Sequence, residues 1–107
     1  MELDIKQIKT LYSIFKVSYQ KGIRWRNKKV SGYIKYNDEE ILIDLLNSFN
    51  RQIQALMHES LHSILFDLKI ELNDDLTDML ALALVKFIQE NPEFIKVILE
   101  GGWVNAV

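Results

Sequence analysis

Chemistry in this 107-residue chain concentrates in Met57-His58-Glu59-Ser60-Leu61-His62, which reads H-E-x-x-H and holds both histidines of the sequence. On a helix, residues four apart stand one turn above each other on the same face, so His58 and His62 can aim two imidazoles at one ion. Glu59 is rotated by about 100° around the axis. It then stands beside the ion rather than on it, where a carboxylate can take a proton from water activated by the metal. The plain alternative is two packed or half-exposed histidines, because the pattern also arises by chance in unrelated helices.

The surrounding residues favour a helix from about Ser48 to Leu68. Ile53, Met57, Leu61, Ile64, Leu65 and Leu68 make an apolar stripe of helical period. His58 and His62 fall on one flank of that stripe, and Glu59 falls beyond them, toward the opposite face. Ligands at the edge of a core, with one side open to water and substrate, suit a catalytic metal site.

A catalytic zinc ion takes three protein ligands and keeps a further position open. The chain has no cysteine and no third histidine, so the third ligand must be a carboxylate. The acids downstream of the motif are Asp67, Glu71, Asp74, Asp75, Asp78, Glu90, Glu93 and Glu100. Asp78 is the preferred one. It precedes the apolar run Met79 to Val85, which predicts a deeply buried helix packed on the motif helix, with Ala81 and Ala83 allowing close approach. An inward-facing acid there needs a positive partner. Its other reading is a charge that complements the helix N-terminal dipole.

The elements that must position these residues follow from pattern. Residues 1 to 13 fit a helix or a strand equally. Ile14 to Gln20 alternates apolar and polar residues as a half-buried strand does. Val30 to Tyr36 and Glu40 to Asp44 read as a hairpin across Asn37-Asp38. Asn47 or Ser48 caps the motif helix, and Asn73 or Asp74 caps a helix from about Asp75 to Glu90. Asn91-Pro92 starts a short last helix to Leu99, and Trp103 to Val107 is a tail whose indole is expected against the core. The expected fold is α+β: a small antiparallel sheet of about three strands packed on the motif helix, then a buried helix and a short C-terminal one.

Composition narrows the classes. With 49% hydrophobic and 26% charged residues the chain is an ordinary globular one, and its length suits a single domain over 1–107. No run reaches the ~18 apolar residues of a bilayer span, and Met1 to Lys9 lacks a secretory pattern. A cytoplasmic protein without a membrane partner is expected. The net charge is -2, yet Lys21, Arg24, Arg26, Lys28 and Lys29 crowd around Trp25 with no acid among them. That cluster raises nucleic acid as a partner. A solvated loop or strand edge is favoured, because the whole chain is not basic.

The order strand-hairpin, then A-L-M-H-E-S-L-H-S-I-L, then an acidic helix ending Q-E-N-P-E, resembles the minimal zincin-type metallopeptidases of phages and prophages. More distantly it is similar to the ImmA/IrrE-type peptidases that act on repressors. The likeness covers about residues 14 to 98, with H-E-x-x-H its specific part. It implies a zincin-like domain with zinc on His58, His62 and a downstream acid, here Asp78, and Glu59 as base. The family commonly carries Glu at the third position; Asp78 is one methylene shorter and requires closer helices. The implied reaction is peptide hydrolysis on a peptide or protein substrate, repressors included. For such a reaction Tyr33, Tyr36 and Arg24 are the candidates in this chain to stabilise the oxyanion. Two rivals accompany it: a catalytically silent, zinc-stabilised module that binds protein or DNA, and a DNA-associated protease docking through the basic cluster.

Overall fold

Burial alternates along the first long strand, where Phe15 and Val17 point inward between exposed Ile14 and Lys16. In the computed structural model, which describes residues 3–101, this strand is β2 (Ile14–Gln20). It pairs with β1 (Gln7–Lys9), the strand outcome for the ambiguous N-terminal stretch. After β2 the chain makes a two-stranded excursion, β3 (Arg24–Trp25) and β4 (Lys28–Lys29). It re-enters the main sheet as β5 (Gly32–Lys35) and turns into β6 (Glu40–Asp44).

The expected antiparallel sheet of about three strands is instead a mixed sheet of four, in the order β1-β2-β6-β5. The β5–β6 pair is the predicted hairpin, but β6 lies parallel to β2. Side-chain alternation is the same in parallel and antiparallel strands, so pattern alone does not fix direction. The excursion through β3 and β4 lets the chain reach the far edge first and return in the middle. As one of the two inner strands, β6 buries Ile41, Leu42, Ile43 and Asp44, as strands covered on both faces do.

Asp44 ties the excursion to the sheet. Its carboxylate accepts hydrogen bonds from the backbone N–H groups of Gly22 (3.0 Å), Ile23 (3.1 Å) and Leu46 (2.9 Å). Burial pushes its carboxyl up, but these donors and the nearby Lys29 outweigh that and hold it below the ordinary 3.8. The contribution to stability is therefore present above about pH 4 and lost as pH falls through the lowered value. Asp44→Asn keeps one acceptor oxygen and turns an NH2 toward a backbone donor. We expect a loss of about 2–4 kcal/mol in urea unfolding at pH 7, shrinking at acid pH. An unchanged midpoint would remove the clamp from the account.

The helix α1 (Phe49–Asp67) begins at Ser48, whose hydroxyl accepts from the Arg51 N–H. It ends where Lys69 turns left-handed (φ 57°), with Ile70 N–H bonded to Leu65 O and Lys69 N–H to Phe66 O, the Schellman closure. Phe15, Val17, Ile41, Ile43, Ala55 and Leu56 form the core between sheet and helix. Gly32 permits the close approach: a Cβ there would stand 2.7 Å from Leu42 O and 3.7 Å from the Ala55 Cβ.

The face that α1 turns inward differs from the predicted stripe. Gln52, Ala55, Leu56, Glu59, Ser60 and Ser63 are buried, whereas of the stripe only Leu61 is, and Leu68 is exposed. Three of the polar inward residues make hydrogen bonds: Gln52 donates to Asn47 O, although its Oε1 has no partner among the described residues, Ser60 donates to Leu56 O, and Ser63 pairs with Thr10. The stripe instead serves in part a second helix, α2 (Asp74–Glu90), with Ile53 sharing a groove with Leu82 and Val85.

Capped by Asn73, α2 was expected to be the most enclosed element, and it is not. Thr77 and Ala81 are its buried residues, while Met79, Leu80, Leu82 and Ala83 are exposed. Ala81 supports the close helix approach and Ala83 does not. A run that is apolar all round does not reveal how many sides find a neighbour. The last helix, α3 (Pro92–Leu99), packs Phe94 edge-on against Phe87. The Trp103 to Val107 tail lies outside the described residues. No described helix is long and apolar enough to cross a membrane.

Candidate metal centre

The turn from α1 into α2 sets His62 opposite Asp74 and His58 opposite Asp78. Both pairs come from one-turn spacings, 58 with 62 and 74 with 78, so two rows of side chains face each other across the helix contact. His62 Nε2 lies 2.8 Å from Asp74 Oδ1 and 2.9 Å from His58 Nε2, and His58 Nε2 lies 3.6 Å from Asp74 Oδ1. In a tetrahedral zinc site with bonds of about 2.0–2.1 Å, neighbouring ligand atoms stand about 3.3 Å apart. The three atoms thus form a triangle of the size of one face of such a site, and they are the group of described residues able to hold a metal ion.

Proton accounting points the same way. His58 Nδ1 faces Asp78 Oδ1 at 2.9 Å, so it carries a proton and donates. In the neutral ring this leaves Nε2 a lone pair. His62 Nε2 holds at most one proton and meets two acceptors, His58 Nε2 and Asp74 Oδ1. One proton cannot serve both contacts, whereas a cation among the three atoms accepts electron density from all of them.

Asp78, the expected third ligand, is therefore placed behind His58. Besides His58, it accepts from Arg51 at 3.1 and 3.2 Å and from Gln54 at 3.2 Å. Burial pushes its carboxyl up, but the His58 and Arg51 hydrogen bonds and charges prevail and lower it. A carboxylate on the outer nitrogen of a ligating histidine fixes tautomer and ring orientation. Asp74, another of the downstream acids, brings its Oδ1 to the two Nε2 atoms.

Arg51 and Gln54 were missed by sequence reasoning. Their signal was spacing: residues 51, 54 and 58 share the α1 flank that meets α2. Arg51 also reaches Ser31 Oγ at 3.0 Å, which connects the site to the chain entering β5.

Glu59 departs from its expected outward position. It lies on the buried face of α1, 8% exposed, with Oε2 3.9 Å from His58 Nε2. Burial first, then the charges of Asp74 and Asp78, push its carboxyl up to about 8 against the pull of Arg51. It reaches solvent through a cleft of about 290 Å³ between β5 and the two helices, lined also by Trp25, Tyr33, Tyr36, His62 and Asp74. Tyr36 stacks near Phe66 of α1 at 5.3 Å, and burial, helped by Glu59 and Asp67, raises its phenol. Arg24, in contrast, donates to Asn27 O within its own turn.

Compared with protein-family models, with curated proteins and with solved structures, the chain finds no match.

Proposed function

We propose that this protein is a zinc-dependent hydrolase acting on peptides, with the small zincin-type organisation that its H-E-x-x-H segment resembles. In this reading His58, His62 and Asp74 hold the ion, Asp78 orients His58, and Glu59 is the acid–base group. One observation carries it: three ligand atoms 2.8–3.6 Å apart converge beside a buried carboxyl at the floor of a cleft.

When bound, zinc would acidify water toward pKa ~7 and polarise a substrate carbonyl. The chain's own groups do the rest. Glu59 takes the proton of the attacking water and delivers it to the leaving amine. Its ordinary acidity is suppressed by burial, and a positive ion among its neighbours would return it to the carboxylate form. Tyr36 keeps its phenolic proton and is the hydroxyl donor on the cleft wall for the developing oxyanion. Asp78 holds the His58 ring with Nε2 inward, and Arg51 and Gln54 hold Asp78.

Metal removal tests the reading. Dialysis against a chelator should abolish hydrolysis of a mixed peptide library, and added zinc should restore it. Undiminished hydrolysis after metal removal contradicts the proposal. Zinc bound tightly with no cleavage of the library favours instead the silent, metal-stabilised binding module.

A further inference from the structure

Asp74 lines the cleft and also an adjoining pocket, where it stands with Asp75, Asp78 and Lys29. Next to both, the β3–β4 hairpin carries Lys21, Arg24, Arg26, Lys28 and Lys29 at and beside its strands, all exposed. Of the chain's 13 cations these five lie within nine residues that contain no acid, leaving eight against all 15 acids elsewhere. Among the described residues none of the five lies within ion-pair distance of a carboxylate. Lys29 acts at longer range on Asp44, so the surplus is only partly compensated within the fold.

The hairpin is also physically joined to the cleft. Trp25 lines it together with Glu59 and His62. The Trp25 ring packs on Tyr33 at 5.6 Å, and the Arg26 guanidinium sits over it at 5.4 Å. Arg26 and Asn27 both have left-handed backbone, φ 50° and 63°, the tight two-residue turn that matches strand twist. Asn suits such a position, whereas Arg is disfavoured there. The turn sets Arg26 on Trp25, the hairpin residue that lines the cleft.

We propose that the hairpin is a specificity element that binds an acidic segment of the peptide entering the cleft. This rests on the cleft being a peptide-binding site. One edge of the main sheet is β5, and a peptide laid along it would pass between the hairpin and the α2 N-terminus. Carboxylates on the hairpin side meet Arg24, Arg26 and Lys28. Carboxylates on the other side meet Asp74 and Asp75 and are repelled, so charge sets direction as well as affinity. Single-stranded nucleic acid fits less well. The aromatic rings it would stack on are already engaged, Trp25 by Arg26 and Tyr33 by Lys35 at 5.8 Å.

The test is binding, measured on zinc-loaded Glu59→Gln so that turnover does not intervene. The probes are fluorescent peptides of one length that differ in a single block made of Asp, Asn or Lys, and a short single-stranded DNA. The Asp peptide should bind roughly tenfold tighter than the Asn peptide and tighter still than the Lys peptide. That preference should vanish in the further variant R24Q/R26Q/K28Q, and it should weaken as salt rises. Equal binding of the three peptides, tighter binding of the DNA, or no peptide binding would each overturn the inference. Failure of the wild-type protein to cleave, with the Asp preference intact, sinks the hydrolase reading and leaves this one standing.

Discussion

Glu59→Gln is expected to abolish peptide hydrolysis while leaving zinc bound, and to make the metal-free protein more stable. Proton transfer by a positioned carboxylate is worth roughly 10²–10⁴ in rate, and Gln keeps the shape but neither takes nor gives the proton. Zinc should remain, because Glu59 is not among the three converging atoms. The stability gain follows from burial. A carboxyl with an ordinary value of 4.5 that is pushed up to about 8 in the fold binds a proton more readily folded than unfolded. Its contribution is full below about pH 4.5 and lost as pH rises toward 8 and beyond. Thermal unfolding of the metal-free wild type should therefore show a falling midpoint across that window, a few kcal/mol in total, and Glu59→Gln should flatten this fall. Retained hydrolysis, or a midpoint that falls equally in the variant, removes Glu59 from the role assigned here.

The second large effect separates the two acids on α2. Asp74→Ala removes one of the three proposed ligands, and zinc affinity should fall by several orders of magnitude, as it should for His62→Ala. Asp78→Ala removes the partner behind His58, and the loss should be about 10–100-fold in affinity with the ion still bound in stoichiometric amount at high zinc. Asp78→Ala should also leave Arg51 without its carboxylate, which lowers folding stability, whereas Asp74 is 83% exposed on its side chain and its removal should leave the metal-free fold nearly unchanged. Titration with zinc, paired with unfolding of the metal-free variants, distinguishes the two roles. Equal affinity losses in both variants, or the larger loss in Asp78→Ala, would return the inner position to Asp78.

Much of the local structure was readable because it rests on local causes. Ser48 and Asn73 are cap residues with acceptor side chains, and the alternation from Ile14 to Gln20 has one interpretation. The two imidazoles on one flank of a helix follow from spacing alone. What failed depended on neighbours that the sequence does not name. Strand direction in the β2–β6 pair was set by the β3–β4 excursion, which leaves no trace in alternation. The inward face of α1 was misread because small and polar residues, Ala55, Ser60 and Ser63, meet the sheet where Gly32 allows close approach. That rotation is what buries Glu59. The placement of Asp74 beside the two Nε2 atoms, and of Asp78 at His58 Nδ1, has a similar origin. A helical hairpin pairs residues equidistant from its turn, and His62 and Asp74 are both six residues from Leu68, as His58 and Asp78 are both ten.

X-ray absorption on the zinc-loaded protein, with one equivalent of ion per chain, addresses the coordination itself. Two imidazole nitrogens and one carboxylate oxygen are expected at about 2.0–2.2 Å, with water completing a four-coordinate shell, and that signal should be lost in Asp74→Ala but not in Asp78→Ala. A shell of water oxygens alone, or an unchanged imidazole signal in Asp74→Ala, contradicts this coordination.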